Sequence, residues 1–349
     1  MAHNILITGA SGYLGGSLLA RWKNANLPPH GTLHALVRSE RQAEAVKQYG
    51  AEPLLCDLDD HTKLRESIIN HEISIILFLV DSFSGRHQPT MIQALQQVKI
   101  KTGKEVHFVH TGGAKHFSRH SGLPTEEPLL DTDLGIYEML KTTVSPHPYF
   151  APTIKTNIIV IDACEQYDVR GYIFVPCIVY GRGEGFGNRI SIQDVAIVKA
   201  AKKVRRVYRV DSDSPSWPVC HIVDNSNLYL QMVRNMLLNK DIGYNKRGFY
   251  MASSGSVAWD DIYHAFAVAL AKRGVVDDDR VEQADDIALV EMGEALGVPP
   301  SLVPVMLGGK STFTAVHGIE IGWKAEYAPE HILETADEEV ELIIEGLEQ

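Results

Sequence analysis

The chain has 349 residues, 45% of them apolar and 22% charged, with 33 Lys plus Arg against 44 Asp plus Glu, a formal net charge of −11. A chain of this size suggests two domains, or one large domain with an added lobe, and needs neither disulfides nor metal to fold. Its acidic balance argues against broad binding to nucleic acid or to an acidic membrane surface, while leaving room for a local basic pocket.

Taken in chain order, Asn4 to Thr8 reads as a strand and Tyr13 to Lys23 as a helix. Thr32 to Val37 is strand-like, Glu40 to Gln48 helical, Pro53 to Cys56 a short strand, and about Asp60 to Asn70 a helix. Ile73 to Val80 is an apolar run broken only by Ser74 and about the length of a strand, whereas a membrane-spanning helix needs roughly 20 apolar residues. Pro89 to Lys101 is helical and Glu105 to His110 is strand-like. After a Pro- and Gly-rich interruption from Gly112 to Pro152, a helix from about Pro152 to Tyr167 leads into a strand from Gly171 to Val175. Strands separated by helices of ten or more residues imply βαβ units and a parallel sheet. Beyond Gly181 the alternation fades, and the residues from Ser256 on look mostly helical and acidic in places. The expected fold is α/β: a Rossmann-type doubly wound parallel sheet with a smaller, mostly helical C-terminal substrate-binding region. Residues 1–181 form the dinucleotide-binding domain, to which part of 215–250 returns; 182–214 and 251–349 form the substrate region. The N-terminus has no signal-like stretch. The four cysteines, Cys56, Cys164, Cys177 and Cys220, form no CxxC pair and fit a reduced, cytoplasmic protein.

The strongest motif is Thr8-Gly9-Ala10-Ser11-Gly12-Tyr13-Leu14-Gly15, which follows the first strand and opens the first helix. Gly9 permits the tight turn, Gly12 lets the backbone approach a pyrophosphate, and Gly15 lets helix and strand pack closely. The helix N-terminus offers free N–H groups to phosphate oxygens. At the end of the second strand, where an NAD-preferring site carries Asp or Glu for the ribose 2′-OH, this chain has Arg38, suited to the 2′-phosphate of NADP. The cofactor is therefore expected to be NADP in preference to NAD. Asp57, after the third strand, either accepts from the adenine amino group or caps the next helix.

These stretches together resemble an extended or atypical short-chain dehydrogenase/reductase of the NAD-dependent epimerase/dehydratase-like group. The likeness rests on the glycine motif, on Cys56-Asp57-Leu58, and on Phe108-Val-His-Thr111-Gly112-Gly113. It rests further on Tyr137-Glu-Met-Leu-Lys141 (a YxxxK match), on Ile173-Phe-Val-Pro176-Cys177-Ile-Val179-Tyr180-Gly181, and on Val219-Cys-His221-Ile-Val-Asp224. The resemblance implies that Tyr137 is the acid/base, that Lys141 tunes it and that Thr111, 26 residues before Tyr137, orients the substrate oxygen. It places Leu58, Val80, Pro176, Cys177 and Val179 beside the cofactor, and Gly112, Gly113 and His221 beside the substrate. A phenol needs a nearby cation to act at neutral pH, and a lysine four residues on lies one helical turn away. Ser145-Pro-His-Pro148 interrupts the helix after Lys141, however. If the helix beginning near Pro152 is instead the family's catalytic helix, Thr153 or Lys155 stands near the lysine site, and Tyr149 with Lys155 is the second candidate pair.

Other features are weaker. His107, His110, His116 and His120 lack metal-ligand spacing, and no metal site is expected. Lys199 to Arg209 holds six basic residues in eleven, either a receptor for an anionic substrate or a solvated helix end. The acidic runs read as solvated helix faces. The function expected from the sequence is an NADP-dependent oxidoreductase interconverting a carbonyl and an alcohol on a small or medium-sized substrate. Two alternatives stand beside it: a redox-neutral NAD-dependent epimerase or dehydratase, and a catalytically silent NAD(P)-sensing protein. Family analogy suggests a homodimer, with no nucleic-acid or membrane partner.

Overall fold

The computed structural model describes residues 2–348. The strands of the first half are β1 (Asn4–Ile7), β2 (Leu33–Val37), β3 (Glu52–Leu55), β4 (Ile73–Phe78), β5 (His107–Thr111) and β6 (Arg170–Pro176). The helices between them are α1 (Tyr13–Trp22), α2 (Glu40–Lys47), α3 (His61–Asn70) and α4 (Gln88–Thr102), then α5 (Ile136–Thr142) and α6 (Ala151–Gln166), both between β5 and β6. Every element of the expected βα alternation is present, with ends shifted by no more than a few residues. Val80 falls outside β4, which ends at Phe78.

The second half adds β7 (Ile178–Tyr180), α7 (Gln193–Val204), β8 (Ser216–His221), α8 (Ile222–Leu237), β9 (Phe249–Ala252) and β10 (Gly255–Ala258). It continues with α9 (Trp259–Lys272), α10 (Asp286–Leu296) and a last long helix, α11 (Ala336–Glu348). The main sheet has seven parallel strands in the order β9-β6-β5-β4-β1-β2-β3. All six residues of β4 are buried, as a central strand covered by helices on both faces requires. The strand order reverses between β1 and β4, so a crevice opens at the carboxyl ends of these strands, where open α/β sheets bind ligands. A smaller sheet, β10-β8-β7, flanks that edge.

The interruption after β5 is short helices and turns held by a buried carboxylate. Asp131 accepts from the backbone N–H of Met251, Val316 and His317, at 3.0, 2.7 and 2.8 Å. Leu129–Leu130 also pairs in parallel with Phe313–Thr314. The irregular stretch is thereby tied both to the edge strand β9 and to the C-terminal region. No helix among the described residues is long and apolar enough to cross a membrane.

Candidate active site

The glycine turn has the geometry its sequence requires. Gly9 adopts φ +70, and a Cβ there would lie 2.9 Å from the Leu79 carbonyl oxygen. A Cβ on Gly15 would lie 2.3 Å from the Gly9 oxygen, so helix and turn pack closer than any side chain allows. Gly12 caps α1 without a side-chain bond. The first N–H groups of this helix therefore have no partner within it and face an anion site. A dinucleotide pyrophosphate fits this cradle, and a nicotinamide dinucleotide held there would supply hydride chemistry.

Neighbouring side chains brace the turn. The buried Thr8 hydroxyl accepts from Leu79 N–H at 2.9 Å, fastening β1 to the end of β4 rather than facing a ligand. Ser11 Oγ accepts from Gln42 Nε2 at 3.1 Å, and Gln42 Oε1 in turn accepts from Arg38 N–H at 2.9 Å. The Arg38 side chain is exposed at the end of β2 and makes no ion pair among the described residues, so its guanidinium is free for a phosphate. Asp57 holds an Asx turn, accepting from Asp59 N–H at 3.0 Å. The cap of α3 is Asp60, which accepts from Lys63 N–H at 3.0 Å, so Asp57 is not the capping residue. Leu58 is half-buried against the core. Val80 is 48% exposed, and its neighbour Leu79 takes the inward position.

A cavity of about 470 Å³ runs from this turn across the carboxyl edge of the sheet. It is lined by Gly9 and Gly12 to Gly15, by Gly112 to His116, by Pro176, Cys177 and Val179, and by Tyr149, Phe150 and Thr153. Ile192, Trp217, Val298, Val305 and Met306 also line it. Its lining is mostly aliphatic and aromatic, with the neutral polar Ser82, Thr153, Asn188 and Gln193 among it and Lys115 as the only Lys, Arg, Asp or Glu. His116 also lines it, but burial pushes that imidazole down to about 4, and its Nδ1 lies 3.2 Å from Asn157 Nδ2. Of the residues expected around cofactor and substrate, Gly9, Gly12, Tyr13, Leu14, Gly15, Gly112, Gly113, Pro176, Cys177 and Val179 meet at this cavity.

The three residues expected to be catalytic do not. Tyr137 is buried on α5, and its hydroxyl donates to Asp162 Oδ1 at 2.5 Å. Asp162 lies nine residues along α6 from Thr153, about 13 Å at the helical rise, toward the amino edge of the sheet. Lys246 sits 4.7 Å over the Tyr137 ring, and its neighbour Asn245 accepts from Gly171 N–H at the start of β6. Tyr137 thus stands at the edge of the sheet opposite the glycine turn. Burial and the Asp162 carboxylate push its phenol well above the usual range, the reverse of what an acid/base at neutral pH needs. Lys141 is exposed, 5.4 Å over that same ring. The Thr111 hydroxyl is 2.6 Å from Tyr229 OH, and Tyr229 stacks on Phe174 at 3.5 Å, so Thr111 is consumed inside the core.

The cause lies in the prolines. Pro146 and Pro148 end the chain's helical path after α5, and α6 starts afresh with Pro152 in its first turn. Two tyrosines line the cavity: Tyr13, whose hydroxyl is spent on Gly181 O at 2.7 Å, and Tyr149, 40% exposed and edge-on to Phe83. Four residues on, where the resemblance expects lysine, stands the buried Thr153; Lys155 is exposed outside the cavity, so the Tyr149–Lys155 pair is not formed there either. The lysine that does line the cavity, Lys115, comes from the turn after β5 and belongs to none of the motifs above. The only trace of it in the sequence is a lysine in a glycine-rich strand exit, Thr111-Gly-Gly-Ala-Lys115.

His221 lies elsewhere. It caps α8, its Nδ1 accepting from Val223 N–H at 3.4 Å, and its ring lies 4.0 Å from that of Tyr327. It lines a second cavity with Gly181, His331 and Glu339, apart from the glycine turn. A Cβ on Gly181, at φ +95, would lie 2.3 Å from His221 Nε2. Burial pushes this imidazole down to about 4, so it is a neutral packing group. The described residues contain no cluster of three or more metal-ligating side chains.

Comparison with protein families matches residues 5–243 to the NAD dependent epimerase/dehydratase family. Among solved structures, UDP-glucose 4-epimerase from Bifidobacterium longum, determined with NAD+ and UDP, superposes with a TM-score of 0.64 at 13% identity, covering 98% of this chain and 99% of that one. Vestitone reductase from alfalfa gives 0.61 at 13% identity over 97% and 98%. The dTDP-glucose 4,6-dehydratase DesIV from Streptomyces venezuelae, with NAD and TYD bound, gives 0.60 at 12% over 98% and 97%. At these identities the likeness is one of fold. No curated protein matches the sequence.

Proposed function

This chain belongs to the NAD dependent epimerase/dehydratase family, and within it we propose an NAD(P)-dependent oxidoreductase that interconverts a carbonyl and an alcohol on a small or medium-sized apolar substrate. The observation that carries this reading is one cavity shared by the glycine turn and a mostly apolar set of side chains, in which Lys115 is the only charged residue beside a few neutral polar groups. A nucleotide-sugar substrate of the kind named for the epimerase and dehydratase neighbours carries two phosphates, whose negative charge calls for cationic partners, and Lys115 is the only Lys or Arg that lines this cavity. This chamber favours an uncharged carbonyl compound, and the reductase among the neighbours fits that direction. NADP is the proposed cofactor, because Arg38 is free at the strand end where a 2′-phosphate would need a guanidinium. With all four cysteines free and buried, a reducing compartment such as the cytoplasm is the proposed setting.

The test is a titration of the purified protein with NADPH and NADH, followed by Trp fluorescence, then a screen of aromatic and aliphatic aldehydes and ketones. Tighter binding of NADPH, weakened about tenfold or more in Arg38→Ala, with turnover of an apolar carbonyl, supports the proposal. A preference for NADH without carbonyl turnover would favour redox-neutral chemistry. Tight NADPH binding with no turnover of any compound would favour a sensor.

A further inference from the structure

The proposed reaction needs a proton at the substrate oxygen, and neither Tyr137 nor Lys141 can deliver one. Tyr149 reaches the cavity from the turn before α6, with Thr153 rather than a lysine four residues on, and burial pushes its phenol up. Lys115 is the one ammonium in the chamber. It sits in the turn Ala114–Phe117, directly after Gly113, and the turn is rigidly placed. Gly112 N–H donates to Phe174 O at 2.8 Å, His116 N–H donates to Gly113 O at 3.1 Å, and Ser118 Oγ donates to Lys115 O at 2.8 Å.

The amine itself is held on two sides. Nζ donates to the carbonyls of Val305 and Met306, the second at 3.1 Å, and lies 5.2 Å over the Trp217 ring. An ammonium has three donors, so one remains for the cavity. We propose that Lys115 is the proton-transferring residue of this site, taking the part played in the wider family by tyrosine, and acting on a carbonyl or alcohol oxygen held against Trp217. This rests on the oxidoreductase reading above. Reduction of the carbonyl adds a hydride to carbon, supplied by the reduced nicotinamide, and a proton to oxygen, supplied by Nζ. The neutral amine left behind regains its proton from water, and oxidation of the alcohol runs the same steps in reverse.

The surroundings suit the task. Burial in the apolar chamber pushes the Lys115 ammonium down to about 7, where a proton donor is most effective at neutral pH. Asp211 opposes this from a distance, but Arg119 holds that carboxylate at 3.1 Å. His120, itself pushed down by burial and by Lys115, and the neutral His116 are the other titratable neighbours.

Two measurements decide the matter. Competitive labelling of the full chain with acetic anhydride, read peptide by peptide by mass spectrometry across pH, gives the titration of each amine without cofactor. The proposal expects Lys115 to titrate near neutrality, apart from the surface lysines, and to be labelled more slowly when NADPH is bound. The second measurement compares Lys115→Met and Lys115→Arg with wild type on the best carbonyl from the screen. Both variants should bind NADPH as wild type does, and Lys115→Met should lose a hundredfold or more in kcat together with the pH dependence near neutrality. Lys115→Arg keeps the charge without a usable proton, so it should not recover the rate. Ordinary lysine titration, or wild-type turnover in Lys115→Met, would overturn the proposal. Failure of wild type to bind NADPH would instead remove the oxidoreductase reading, and the labelling distinguishes that case because it needs no cofactor.

Discussion

Single side chains decide the fate of the YxxxK match, neither half of which reaches the cavity. Tyr137 has the right neighbours in sequence and the wrong ones in space: its hydroxyl is spent on Asp162 and its ring on Lys246. Tyr137→Phe should therefore leave kcat within about a factor of two of wild type and cost roughly 1 kcal/mol of stability, the usual net worth of one buried hydrogen bond, read by denaturant unfolding. Lys115 makes the opposite prediction. Its ammonium is pushed down in the folded chain, so the folded state gives up a proton that the unfolded state keeps between about 7 and the ordinary lysine value of 10.5. The destabilisation is complete below about 7 and fades as pH rises through that window. Stability should climb with pH there by up to about 1.4 kcal/mol per pH unit. Lys115→Met should flatten that climb, and an unchanged slope would show that the amine is not desolvated.

At the scale of elements, the βαβ rhythm was legible because apolar period and glycine punctuation agree with tertiary structure from β1 to β6. Ile73 to Phe78 is apolar on both faces and lies at the centre of the sheet. The glycine turn was legible because its three glycines are each required by a close approach. The catalytic helix was harder to read because YxxxK is short, whereas Pro146, Pro148 and Pro152 move the helix start to Ala151 and leave Tyr149, not Tyr137, at the cavity. Lys115 was invisible because its partners, the carbonyls of Val305 and Met306, are some 190 residues away in sequence. The basic run from Lys199 to Arg209 gives a similar lesson. Four of its six basic residues are paired: Arg205 with Asp277, Arg206 with Asp278 and Glu282, Lys203 with Glu294 and Arg209 with Asp260. Acidic stretches that read as solvated faces are its counterparts. Arg206→Ala should lower Tm at low salt, and the loss should shrink at about 1 M salt, where the screening length falls to roughly 3 Å.

The whole molecule brings the C-terminal region over the cofactor edge through one glycine-rich loop. Residues 181–189 lie across the start of α1: Tyr13 OH donates to Gly181 O at 2.7 Å, and Asn188 N–H donates to Ser11 O at 2.9 Å. A Cβ on Gly187 would lie 2.1 Å from the Ser11 oxygen, so Gly187→Ala must push the loop off the turn. That variant should weaken NADPH binding about tenfold and lower stability by roughly 1–3 kcal/mol, as overpacking does; wild-type affinity would show that the loop plays no part in the site. The account as a whole stands on the claim that the cavity joined to the glycine turn, and not the Tyr137–Lys141 helix, is where cofactor and substrate meet. Hydrogen exchange of the full chain with and without NADPH tests it most directly. The account predicts new protection over the glycine turn, over Gly112 to His116 and over Pro176 to Val179, with Ile136–Thr142 unchanged. Protection centred on Ile136–Thr142, with the glycine turn exchanging as before, would contradict it.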